Sequence, residues 1–122
     1  MTRQNFKIGL LIRSGPYQGR SSRDQLDIAL AAASLDFEID LFFTEEGILQ
    51  LVADRETNAG HLPGGHKGWK ALPGLGDVRA WAGAPVLSSL AKSGTKLLLP
   101  VEAATHSEMS ARLAGCDRVM VI

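Results

Sequence analysis

Few side chains in this 122-residue sequence are of a kind that could do chemistry, and their spacing narrows the choice further. Cys116 is the one thiol and hence the only possible cysteine nucleophile. A reactive thiolate needs a helix N-terminus or a nearby cation, whereas Cys116 follows the helix-ending Gly115 and precedes Asp117. Both features oppose ionisation, with Arg112 and Arg118 as partial offsets, so a small apolar residue at the edge of the final strand is the expected role. The segment Ser14-Gly15-Pro16-Tyr17-Gln18-Gly19-Arg20-Ser21-Ser22 places two glycines and basic neighbours ahead of a helix. Backbone N–H groups at a helix start attract anions, which makes Gly15, Gly19, Arg20 and Ser22 a candidate anion seat, flanked by Arg13 and Arg23. It is not a nucleotide P-loop: the gap between the glycines is one residue short and Arg20 stands where lysine is needed. The plainer reading keeps the glycines as turn residues and Ser22 as a helix cap.

Other candidates are weaker. Gly74-Leu75-Gly76 precedes a strand instead of following one, the wrong order for a dinucleotide site. His61 and His66 have no second pair of ligands to complete a metal shell, and His106 falls inside a capping sequence. No metal site and no resident cofactor are expected. Ser14, Ser21 and Ser22 show no accompanying base, so nothing points to a hydrolase.

The elements that must position these residues come from the apolar pattern. Near-continuous apolar runs at Phe6–Arg13, Phe37–Phe43, Lys96–Leu99 and Arg118–Ile122, with a weaker one at Val78–Ala82, suit parallel strands covered on both faces. Leu26, Ala29, Leu30 and Ala33 have helical spacing within Ser21–Leu35, and Ser22 with Gln25 suggests a capping box at its start. Thr44-Glu45-Glu46 opens a short second helix containing Ile48, Leu49, Leu51 and Val52. These four cover too much of a short helix for one sheet-facing stripe, so they are the candidate interface residues. Thr105 and Glu108 form a capping box for a later helix that Gly115 ends. Ala53 to Asp77 is expected to be a long glycine-rich loop with one helical turn near His66–Leu72. Strands alternating with helices give an α/β fold, a mostly parallel sheet of about five strands in one domain spanning residues 1–122.

Thirteen basic residues balance thirteen acidic ones, so the chain has no net field to hold a phosphate backbone or an anionic membrane. Direct nucleic-acid binding is not expected. A single cysteine cannot close an intramolecular disulfide, and the first apolar run is too short for a bilayer span or a signal peptide, so a cytoplasmic protein is expected.

Gly15-Pro16, Arg23-Asp24-Gln25-Leu26-Asp27, Asp40-Leu41-Phe42-Phe43 and Gly47-Ile48-Leu49-Gln50-Leu51 are followed by Trp69-Lys70, Asp77-Val78, Trp81 and Val101-Glu102-Ala103. In this order the segments resemble the DsrE/DsrF-like sulfur-relay proteins, and within them the DsrF/TusC branch. The resemblance implies a five-stranded three-layer α/β sandwich and assembly with homologous DsrE/TusD-like and DsrH/TusB-like subunits, or with itself. It also implies a role in passing persulfide sulfur, for tRNA 2-thiouridine formation or for sulfur oxidation. In the catalytic subunit of that family the cysteine lies just beyond the third strand, where this sequence reads Ala80-Trp81-Ala82-Gly83-Ala84-Pro85-Val86. Gly83 cannot carry a persulfide, so the resemblance implies a non-catalytic subunit with no catalytic residue of its own. The alternative is a homo-oligomeric protein that holds a small anion in the loop after the first strand.

Overall fold

The structure, a computed structural model, describes residues 6–13, 21–35, 37–52 and 69–122. Its elements run β1 (Lys7–Ile12), α1 (Ser21–Ser34), β2 (Glu38–Phe43), a 3-10 helix (Glu45–Leu51), α2 (Leu72–Leu75), β3 (Asp77–Gly83), α3 (Ala84–Lys92), β4 (Glu102–Ala104), α4 (His106–Ala114) and β5 (Arg118–Val121). The sheet has five strands in the order β4-β3-β2-β1-β5, and every pairing is parallel. An α/β fold with a parallel sheet is therefore what the apolar runs specify.

Strand side chains alternate between faces, and the register aligns them into rows. Ile8, Ile39 and Val78 share one row; Leu10 and Leu41 pair with Ala80, and Ile12 and Phe43 with Ala82. These residues form the main core with Leu26, Ala29 and Ala33 of α1 and with Leu72 of α2. Trp69, in the 3-10 turn ahead of α2, meets the Phe43 ring edge-on at 5.6 Å between centroids. Gly47 lies so close to β1 that an added Cβ would collide with the Ile12 carbonyl oxygen, so no larger residue fits there without backbone movement.

Four expectations need correction. Lys96–Leu99 is not a strand: Leu97 makes an isolated antiparallel bridge with Val52, and the Leu98 N–H donates to Leu51 O at 2.8 Å. The run is apolar because Leu99 is buried beneath this crossing, while the strand beside β3 is the following Glu102–Ala104. The sequence reading also missed α3, whose first turn holds Pro85 and whose Val86, Leu87 and Leu90 pack against the core at helical spacing.

The second helix is 3-10 rather than α, and Thr44 precedes it without a side-chain capping bond. At about three residues per turn, Ile48 and Leu51 fall on one side, and both are buried in the chain's own core. Val52 is half-buried at the bridge to Leu97, so Leu49 is the exposed member of the four proposed interface residues.

Gln25, expected as the capping partner of Ser22, reaches across the fold. Its Nε2 donates to Ile122 O at 2.7 Å, and its Oε1 accepts from Gln50 Nε2. This buried amide pair ties α1 to the 3-10 helix and to the end of β5. The second capping box is as expected: Thr105 Oγ1 accepts from the Glu108 N–H at 3.1 Å and Glu108 Oε1 from the Thr105 N–H at 2.7 Å.

Candidate functional site

On the other face of the sheet the rows begin with charge. Lys7, Glu38 and Asp77 align as the first residues of β1, β2 and β3; the next row is Gly9, Asp40 and Arg79, and the third is Leu11, Phe42 and Trp81. Helix α4 crosses this face and places Met109, Arg112 and Leu113 over the sheet, with Cys116 just beyond its end. The Arg112 guanidinium lies 4.3 Å from the centroid of the Trp81 ring, a cation–π contact that fixes α4 over β3.

Asp40 is only 4 % exposed, and Lys7 Nζ lies 3.8 Å from its Oδ2. Burial pushes its pKa up, while Lys7, Arg79, Arg112 and the nearby Trp81 indole pull the other way without cancelling that effect. The indole N–H comes close enough to favour the charged carboxylate yet falls short of a hydrogen bond of ordinary geometry, and it has no other partner.

Cys116 is half-buried beside Gly9, Phe42 and the α4 terminus. A Cβ at position 9 would lie 2.8 Å from its Sγ, so a glycine on β1 is what makes room for the thiol. Burial raises the thiol pKa, Asp40 and Asp117 raise it further, and Lys7 opposes them. The S–H donates to Arg112 O at 3.4 Å, a contact available only to the protonated form. The expected small apolar role is consistent with this environment, and burial rather than the helix end is the leading cause.

At the opposite, carboxyl end of β3, Gly83 is the N-cap of α3 with extended backbone, φ −63° and ψ 136°. Among the described residues, a Cβ there would meet nothing nearer than Pro85 Cδ at 4.0 Å. The position could therefore accept a side chain, and a helix N-terminus follows it.

Gly15, Gly19 and Arg20 of the anion seat lie outside the described residues, as do His61 and His66; of Ser22 only the backbone, in α1, is described. Among the described residues no group of three His, Cys, Asp or Glu could hold a metal ion, and no helix is long and apolar enough to cross a membrane. Lys7, Asp40 and Arg79 were not singled out in the sequence, because each is a charge within an otherwise apolar strand and only the register shows that they meet.

A parallel five-stranded sheet flanked by helices, with a glycine N-cap where β3 turns into α3, defines the class of the protein as α/β. Residues 7–122 match the DsrE/DsrF-like family, and the chain belongs to that family. It is 24 % identical over 115 residues to the protein TusC homolog of Aliivibrio fischeri, covering 94 % of this chain and 98 % of that one. To the protein TusC homolog of Pseudomonas aeruginosa it is 26 % identical over 113 residues, covering 93 % and 95 %. The crystal structure of the ychN protein from E. coli shares the fold, with a TM-score of 0.75 at 18 % identity over 96 % of this chain and 99 % of that chain. Family and relatives together indicate a sulfur-relay subunit on the DsrF/TusC side.

Proposed function

We propose that the chain is a non-catalytic, TusC-like subunit of a cytoplasmic sulfurtransferase complex, assembling with homologous DsrE/TusD-like and DsrH/TusB-like chains or with copies of itself. The observation that carries this reading is Gly83: the turn from β3 into α3 is formed and, among the described residues, sterically open, but it bears no thiol. The only sulfur nucleophile, Cys116, is held protonated on the other side of the molecule's strand axis, against the amino half of the sheet. Neither position supports persulfide formation by this chain, so the sulfur chemistry belongs to a partner. Among the described side chains of the 3-10 helix, Leu49 is exposed and available to such a partner. Balanced charge also leaves tRNA to be held by the assembled complex rather than by this subunit alone.

The test is to incubate the chain with a persulfide-loaded cysteine desulfurase, alone and co-expressed with candidate partner chains, and to follow the sulfur by mass spectrometry. The expected result is no stable persulfide on this chain and a stable complex with the partners. Persulfide on Cys116 that passes to an acceptor and is lost in Cys116→Ser would overturn the assignment.

A further inference from the structure

β4 ends the sheet and is its shortest strand, three residues long, with Thr105 continuing the extended backbone at φ −75° and ψ 169°. Among the described residues no strand lies beyond it, so its outer N–H and C=O groups form an open edge. A groove runs along each side of that edge. On the α1 side, a space of about 420 Å³ between α3 and β4 is lined by Leu87, Leu90, Ala91, Leu97, Val101 and Ala103. No residue of α3 is fully buried, so Leu87 and Leu90 keep part of their apolar surface open. On the α4 side, a second space of about 360 Å³ is lined by Trp81, Ala103, Glu108, Ala111 and Arg112. Ala103 lines both, which makes the two grooves the flanks of one strand.

This pairing selects the shape of the occupant. A helix or a compact ligand could fill one groove only, whereas an extended chain laid beside β4 would hydrogen-bond to its edge and send alternate side chains to opposite faces. One set would enter the apolar groove under α3. The other set would face the α4 side, and charge decides what it must be. Glu102 aligns with Trp81 and so stands on that face, and Glu108 lines the groove; both are exposed, and neither forms a salt bridge. The single cation there, Arg112, is already stacked on the Trp81 ring. A basic side chain meets two unpaired carboxylates at this place, and an acidic one meets like charge.

We propose that β4 is a strand-accepting edge for an extended segment of a partner protein in which apolar residues alternate with basic ones, the apolar set entering the α3 groove and the basic set facing Glu102 and Glu108. The proposal rests on the sheet edge and does not depend on the sulfur-relay role.

The full chain is titrated with a labelled, end-capped peptide Val-Lys-Val-Lys-Val-Lys by fluorescence anisotropy, beside its Val-Glu counterpart and a Val-Lys peptide interrupted by proline. The Val-Lys peptide should bind saturably and slow amide exchange within Glu102–Thr105, with the other two several-fold weaker. Glu102→Lys, at an exposed position, should weaken Val-Lys binding about 5-fold and shift preference toward Val-Glu. Ala91→Trp, exposed on α3, should fill the apolar groove and reduce binding of both peptides, while Arg118→Gln on the opposite edge strand should change nothing. Equal binding of the proline-interrupted or Val-Glu peptide, slowed exchange at β5 instead of β4, or indifference to Ala91→Trp would each overturn the proposal. So would self-association of the chain that Ala91→Trp abolishes, since the edge would then belong to a second copy.

Discussion

On the α1 side of the sheet, Leu10, Ile12, Ile39, Leu41, Phe43 and Ala82 are each no more than 1 % exposed and belong to the main apolar cluster, with the buried Gln25–Gln50 amide pair between α1 and the 3-10 helix. On the α4 side the same three central strands start with Lys7, Glu38, Asp77, Asp40 and Arg79, and only their later halves become apolar around Phe42 and Trp81. One face is a dry layer whose stability comes from area removed from water; the other is a small aromatic cluster beside a charged cleft. Placing electrostatically costly groups on one face leaves the other free to hold the fold together, so substitutions on the two faces should fail in different ways.

The largest expected effect belongs to the dry face. Leu41→Ala should cost about 2–5 kcal/mol, read as a lowered midpoint in urea with an unchanged slope. A loss under 1 kcal/mol would mean that the α1 side is loosely packed and that the contrast between faces is false.

Next comes Gly9→Ala on the α4 side, whose new methyl must displace Cys116 Sγ and approach the Phe42 ring, which lies 3.3 Å from that Cβ position. Overpacking of this kind costs about 1–3 kcal/mol. Combining it with Cys116→Ala should recover much of the loss, and a double-mutant cycle measures the coupling. Additive effects would show that the Gly9–Cys116 approach is not the constraint.

A smaller effect, of opposite sign, is expected at Asp40. Its folded-state pKa is raised, so between the ordinary carboxylate value and the raised one the native state binds more protons than the unfolded chain. Stability contributed by the protonated carboxyl is therefore lost as pH rises through that window, and the cost persists at neutral pH. Lys7 is a third exposed and keeps its hydration when its partner is neutralised. Asp40→Asn should accordingly match or exceed the parent's stability at pH 7, and the advantage should vanish below the ordinary carboxylate range. Marked destabilisation at pH 7 would show that the ion pair outweighs burial.

The smallest effect is expected from Gly83→Cys. The room left around the position by the described residues predicts a stability change within about 0.5 kcal/mol. In a Cys116→Ser background the introduced thiol, at a helix N-terminus, should be alkylated at neutral pH several-fold faster than Cys116 in the parent. Equal rates would remove the electrostatic difference drawn between the two ends of the sheet.

Much of this was legible in the sequence, for reasons that differ by residue. The runs ending in Ile12 and Phe43 announce parallel strands because both faces of a central strand must be covered there. Thr105 and Glu108 announce their helix because a capping box is local chemistry. By contrast, Lys96–Leu99 looks like a strand because burial beneath a loop crossing demands the same residue types as burial in a sheet. Gln25 looks like a cap because its true partners, Gln50 and Ile122, are distant in sequence. The charged cleft was hidden for the same reason, since Lys7, Asp40 and Arg79 become neighbours only once the register is known.

That distance in sequence also governs how the fold is made. β1 is the first described strand, yet one of its two neighbours is β5, and the Lys7 N–H donates to the Asp117 carboxylate 110 residues away. At a synthesis rate of about 5–20 residues per second, β1 waits on the order of 5–20 s with that edge unpaired. An open apolar strand edge is a template for pairing with other chains. A strand with a neighbour on each side in the finished sheet is thus an aggregation hazard in the nascent chain, closed only when β5 arrives.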